Sequence, residues 1–176
     1  MSLLQTISPD AAEGDVKTAY SFFEEAGIPI PKPLAMMSVS PGLIKIQTQV
    51  LDYYRNHATL GFALLSVIRF LVAKEYNYQF CSNFNYTFLK MQGMEDAEIQ
   101  KIINQPETAP LEEKDMAMLL FVLKAIRTPD AVAEEDVQRL HNMGWTDSDI
   151  FDAVFHGSSM IGPSFMMKAF KMDSTC

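Results

Sequence analysis

A chain of 176 residues with 22 acidic and 14 basic side chains, a formal net charge of −8 and 48% hydrophobic residues can bury a core without disulfide staples. The acidic balance, with no run of Lys or Arg, argues against nucleic acid or an anionic membrane as the main partner. Two cysteines, at 81 and 176, are too few for a disulfide framework or a cysteine zinc cluster.

In chain order, Ser8-Pro9-Asp10 opens a helical pattern over 11–26, with Val16, Ala19, Tyr20 and Phe23 on one face and Gly27 as its stop. Three prolines, at 29, 31 and 33, then predict an extended link. Ser40-Pro41 starts the next helix, where Leu43, Ile46, Gln47, Val50, Leu51 and Tyr54 recur at three and four residues. The apolar run 60–73 contains Arg69, is too short to cross a bilayer, and reads as a buried helix over 60–75. Further helices are predicted over 77–92, 95–104, 111–126 and 134–143. A last long one over 146–171 is expected to kink at Gly162-Pro163. The aromatic alternation between Tyr76 and Phe88 suits strands, yet a lone hairpin would have nothing to pair with, and Phe80, Phe84, Phe88 and Met91 make one helical stripe. The fold class is therefore all-α, one domain over 1–176.

Two corners resemble each other. In 89–99 and in 140–150 a helix ends at a glycine (Gly93, Gly144), an apolar residue follows, and an acidic cap opens the next helix; Thr146 with Asp149 approximates a capping box. Duplication and ordinary helix punctuation both account for this.

The segment from Glu75 through Gly93 to Ile99 resembles the alkylhydroperoxidase D-like and carboxymuconolactone decarboxylase superfamily. The resemblance extends to Ile7-Ser8-Pro9, Ala12-Glu13-Gly14, Gly27-Ile28-Pro29 and Ser40-Pro41 upstream, and to Glu113-Lys114, 132–137, Gly144-Trp145 and Asp149-Ile150 downstream. It implies an all-helical domain that assembles as a homo-oligomer. The peroxidase branch carries Cys-x-x-Cys-x-x-x-His, with a Glu twelve residues before the first Cys. There a thiolate at a helix start attacks peroxide or disulfide, its neighbour resolves it, and His and Glu move the proton. Cys81 matches the second cysteine, whereas Tyr78 stands at the first, Asn85 at the histidine and Ser66 at the glutamate. The resemblance therefore implies the fold more firmly than the usual reactions.

On a helix, Tyr78, Cys81 and Asn85 share one face and could line a polar pocket. Cys81 is the candidate thiol; Tyr78, Asn85, Ser66 and His156 are candidate substrate-binding residues. A small buried structural cysteine is the alternative for Cys81. Cys176 reads as an incidental terminal thiol that could reach Cys81 only on a mobile tail, and Glu75 as a surface carboxylate. His57 and His141 fall near helix ends, where a cation suits the dipole. His156 lies among apolar neighbours, as a pocket base or a satisfied core histidine. The twelve methionines suit a core, a subunit interface or an adaptable groove. The last helix, through Met160, Ile161, Phe165, Met166 and Phe170, is the best candidate for burial against another subunit. No histidine spacing suggests a metal, no glycine-rich segment a phosphate cradle, and no cofactor is implied. The segment Met1-Ser2-Leu3-Leu4 lacks the pattern of a signal peptide, so a cytoplasmic location is expected.

Two functional readings stand side by side. One is a peroxidase-related oxidoreductase, or decarboxylase-like lyase, acting on a hydroperoxide or small organic molecule through Cys81. The other is a non-catalytic small-molecule-binding or assembly protein on the same scaffold.

Overall fold

The computed structural model describes residues 2–25 and 27–172; Cys176 lies outside them. Among the described residues there are α-helices, three short 3₁₀ turns and no strand. The helices are α1 (Gly14–Glu25), α2 (Lys32–Met37), α3 (Pro41–Arg55), α4 (Phe62–Glu75), α5 (Gln79–Met91), α6 (Asp96–Asn104), α7 (Glu113–Arg127), α8 (Glu134–Asn142), α9 (Asp147–Ser158) and α10 (Ile161–Ala169). No helix among them is long and apolar enough to cross a membrane.

The described residues form two compact units, one of residues 2–57 with 165–172 and one of residues 58–164. In the first, Val16, Ala19 and Tyr20 of α1 pack with Leu34 and Ile44, joined by Ile7, Phe23 and Met37. The Tyr20 hydroxyl donates to the Ile7 carbonyl at 3.0 Å and the Ile7 amide donates to Ser38 Oγ at 2.8 Å, so the burial of these polar atoms is compensated. The second unit is built around α4, which packs against α5, α7 and α9. Nine of its residues between Leu64 and Ala73 are buried, because it is apolar nearly all round.

Three sequence expectations need correction. The proline link does not stay extended: α2 starts at Lys32, with Pro33 in the first turn, where a missing N–H costs nothing. The long last helix is two helices. An unbroken helix would drive the Pro163 ring into the Ser159 carbonyl, so α9 ends at Ser158 and α10 restarts at Ile161, placing Pro163 in a first turn. Tyr78 is not inside a helix; it is the N-cap residue of α5, with φ −88° and ψ 80°.

The α4–α5 corner sets that position. Asn77 takes the left-handed conformation at φ 52°. The Tyr78 amide donates back to the Ala73 carbonyl at 2.7 Å and the Asn77 amide to that of Lys74 at 3.2 Å, a Schellman closure. The two similar corners close the same way. Gly93 (φ 92°) and Gly144 (φ 81°) take the left-handed position, and the Met94 and Trp145 amides each donate to a carbonyl five residues back. Both are followed by capping boxes, Glu95 with Glu98 and Thr146 with Asp149.

Candidate functional site

Helix α4 offers Phe62, Ser66 and Arg69 along one stripe, spaced four and three residues apart. Helix α5 offers Cys81 in its first turn and Asn85 one turn on. Helix α9 brings His156, and Gly157 beside it allows the approach: a Cβ there would lie 2.9 Å from both Val122 Cγ1 and Ile126 Cδ1 and 3.2 Å from Ile68 Cγ2. A larger residue at 157 would hold α9 away from α4 and α7.

These residues meet on the Arg69 guanidinium. Its Nε donates to Asn85 Oδ1 at 2.8 Å, Nη2 donates to Ser66 Oγ at 3.0 Å, and Nη1 lies 3.0 Å from His156 Nε2. Because a guanidinium can only donate, the contact is a hydrogen bond when Nε2 carries the lone pair. Ser66 Oγ in turn donates to the Phe62 carbonyl at 2.7 Å, and the Asn85 amide N–H donates to the Cys81 carbonyl at 2.8 Å. Ser66, Asn85 and His156 are buried, while Cys81 and Arg69 are half-buried. Burial of the guanidinium pushes the Arg69 pKa down to about 10, and the neighbouring Cys81 sulfur works against that shift by favouring the cation.

The sequence candidates are thus partly brought together. Ser66, Asn85 and His156 share Arg69, and Cys81 joins through its carbonyl and its electrostatic coupling. Buried Tyr78 sits one turn before Cys81, at the cap. Sequence reasoning missed Arg69 as the centre of the group. The available signal was a cation inside a run of buried apolar residues, a placement that Arg rarely takes without a partner. It also missed Phe62, whose ring lies 5.8 Å from the Arg69 Cζ.

The other singled-out groups lie elsewhere. Glu75 pairs with Arg127, Arg127 Nε donating to Oε2 at 2.6 Å. Beside this pair is a cleft of about 360 Å³ lined by Leu71, Lys74, Asn77, Gln79 and Ser82, among others, but not by Cys81, Asn85 or Arg69. His57 stacks on Tyr54 at 6.2 Å between ring centroids, and His141 Nε2 lies 2.9 Å from an Asp147 carboxylate oxygen. No group of three His, Cys, Asp or Glu among the described residues could hold a metal ion.

No family model matches the chain, and none of the curated proteins does. Solved structures do match. One is the alkylhydroperoxidase AhpD core of an uncharacterized peroxidase-related protein from Ralstonia eutropha JMP134, at 17% identity and a TM-score of 0.80, covering 97% of this chain and 90% of that one. Another is an uncharacterized peroxidase-related protein from Silicibacter sp. TM1040, at 16% identity and a TM-score of 0.80 with the same coverage. The architecture expected from the motif residues around Cys81 is therefore present over nearly the whole chain, which has the all-helical fold of the alkylhydroperoxidase AhpD core.

Proposed function

We propose that the chain is a peroxidase-related oxidoreductase with one reacting thiol, Cys81, that reduces an organic hydroperoxide. The observation that carries this reading is the position of Cys81 in the first turn of α5, beside the half-buried Arg69, with Asn85 bonded to both the Cys81 carbonyl and the guanidinium. Helix N-terminus and guanidinium both favour the thiolate, which is the nucleophile. Where the family pattern has a carboxylate, Ser66 adds no negative charge, so the cation acts on the sulfur undiminished.

In the reaction, the Cys81 thiolate attacks the terminal oxygen of R–O–O–H. An S–O bond forms and the O–O bond breaks, the sulfur is oxidised to a sulfenic acid, and R–O⁻ leaves. The Arg69 N–H groups stabilise the charge developing on the leaving oxygen, which takes the proton released when the thiol ionised and departs as an alcohol. With Tyr78 where the family pattern has its first cysteine, the sulfenic acid is reset by an external low-molecular-weight thiol. Two such thiols become a disulfide as water leaves.

The test is turnover of cumene hydroperoxide with dithiothreitol as reductant. Activity is expected to vanish in Cys81→Ser and to persist in Cys176→Ser; a rate unchanged by Cys81→Ser would overturn the reading. The absence of a thiol at 78 favours a second one, a binding protein that keeps the scaffold without turnover. Self-association is part of the proposal: Leu43, Ile46 and Tyr53 of α3 are about half exposed, as an apolar interface between copies requires. Light scattering on the purified protein gives the oligomeric state.

A further inference from the structure

Arg69 has five N–H donors, and three are used on neutral acceptors: an amide oxygen, a hydroxyl and an imidazole nitrogen. No carboxylate pairs with it among the described residues, in contrast to Arg55 and Arg127. While the Cys81 thiol keeps its proton, this half-buried cation has no opposite charge beside it, and an anion bound there would supply one.

Next to this cation is an aromatic surface. The Phe62 ring, 54% exposed, lies 5.8 Å from the guanidinium carbon. It meets Phe88 edge-on at 5.3 Å, and Phe88 meets Phe84 at 4.7 Å. Phe84 and Phe88 belong to the stripe of α5 that carries Cys81 and Asn85, three, four and seven residues beyond the cysteine. What sets Phe62 apart from the other exposed rings is that it leads to the half-buried guanidinium.

We infer that Arg69 and the Phe62–Phe84–Phe88 rings form a binding site for a small monocarboxylate with an aromatic body. Arg69 takes the carboxylate through its two remaining N–H groups, and the rings take the apolar part by edge and face contacts. A single guanidinium suits one carboxylate, and the chain's net charge of −8 disfavours polyanions. This inference does not rest on turnover at Cys81.

The test is calorimetric titration of the full chain with 4-phenylbutyrate and, separately, with its neutral amide. The acid is expected to bind at least about tenfold more tightly, the worth of one charge-assisted contact. Cys81→Ser should bind the acid at least as tightly as the wild type, since it removes a competing thiolate, Arg69→Gln should lose the preference for acid over amide, and Phe62→Ala should weaken both ligands. Equal affinity of acid and amide, or no binding of either, would overturn the inference on the wild-type protein alone, whatever the Arg69 variant does to folding. Binding that is unchanged in Phe62→Ala would also overturn it. Loss of hydroperoxide turnover in Cys81→Ser with acid binding intact separates this site from the thiol reaction.

Discussion

Two arginines, Arg69 within α4 and Arg127 at its end, sit in opposite circumstances. Arg127, the last residue of α7, reaches Glu75 at the helix end with both side chains over 30% exposed. Arg69, in the middle of α4, donates hydrogen bonds only to neutral acceptors and has a pKa lowered to about 10 by burial. The surface pair is screened by water and its partners are interchangeable with solvent, so it contributes little. The interior cation has no such substitute, and its field falls on what lies next to it, the Cys81 sulfur. Burial turns the same side chain from a surface tether into an electrostatic device.

The strongest way to break this contrast is to move α9. Gly157→Ala places a methyl 2.9 Å from Val122 and Ile126, and is expected to destabilise the fold by about 1–3 kcal/mol in urea titration. Loosening the His156–Arg69 contact should also slow alkylation of Cys81. A destabilisation below about 0.5 kcal/mol would mean that the helices slide apart freely.

Ser66→Glu makes Arg69 resemble Arg127 by supplying a carboxylate. Iodoacetamide alkylation of Cys81 at pH 7 should then slow by about tenfold, because the acid neutralises the guanidinium and repels the thiolate. An unchanged rate would detach Arg69 from the thiol.

Glu75→Gln does the converse, leaving Arg127 with a neutral partner. The expected cost is under about 1 kcal/mol, without effect on Cys81. The smallest effect is at alkaline pH. The folded-state pKa of Arg69, about 10, lies below the ordinary arginine value, so the native state sheds this proton first, and stability should rise as pH climbs above about 10. Relative to Arg69→Met, the wild type should gain stability over that window in denaturant titrations. A flat difference would place the guanidinium in water.

Much of the fold was legible in the sequence because helical periodicity and punctuation are local. Gly27, Gly93 and Gly144 mark helix ends through their left-handed backbone, and Thr146 with Asp149 marks a start. Where two local rules competed, the reading failed. The apolar pattern continues through Gly162-Pro163 and suggests one kinked helix, but the ring of Pro163 enforces a restart. In the site, residues on α4 and α5 could be placed by motif spacing. That His156, 87 positions from Arg69, shares its guanidinium depends on the packing permitted by Gly157, which no periodicity encodes. Arg69 itself hid in an apolar run, where a long side chain reads as a passenger until its partners are known.

The central claim, that Arg69 activates Cys81, is tested most directly by the pH dependence of Cys81 alkylation in a Cys176→Ser background, with and without Arg69→Met. The expected result is an apparent pKa well below the ~8.5 of an ordinary cysteine and a return toward that value when the guanidinium is removed. A thiol that reacts only after unfolding, or an apparent pKa that is the same in both proteins, would contradict it.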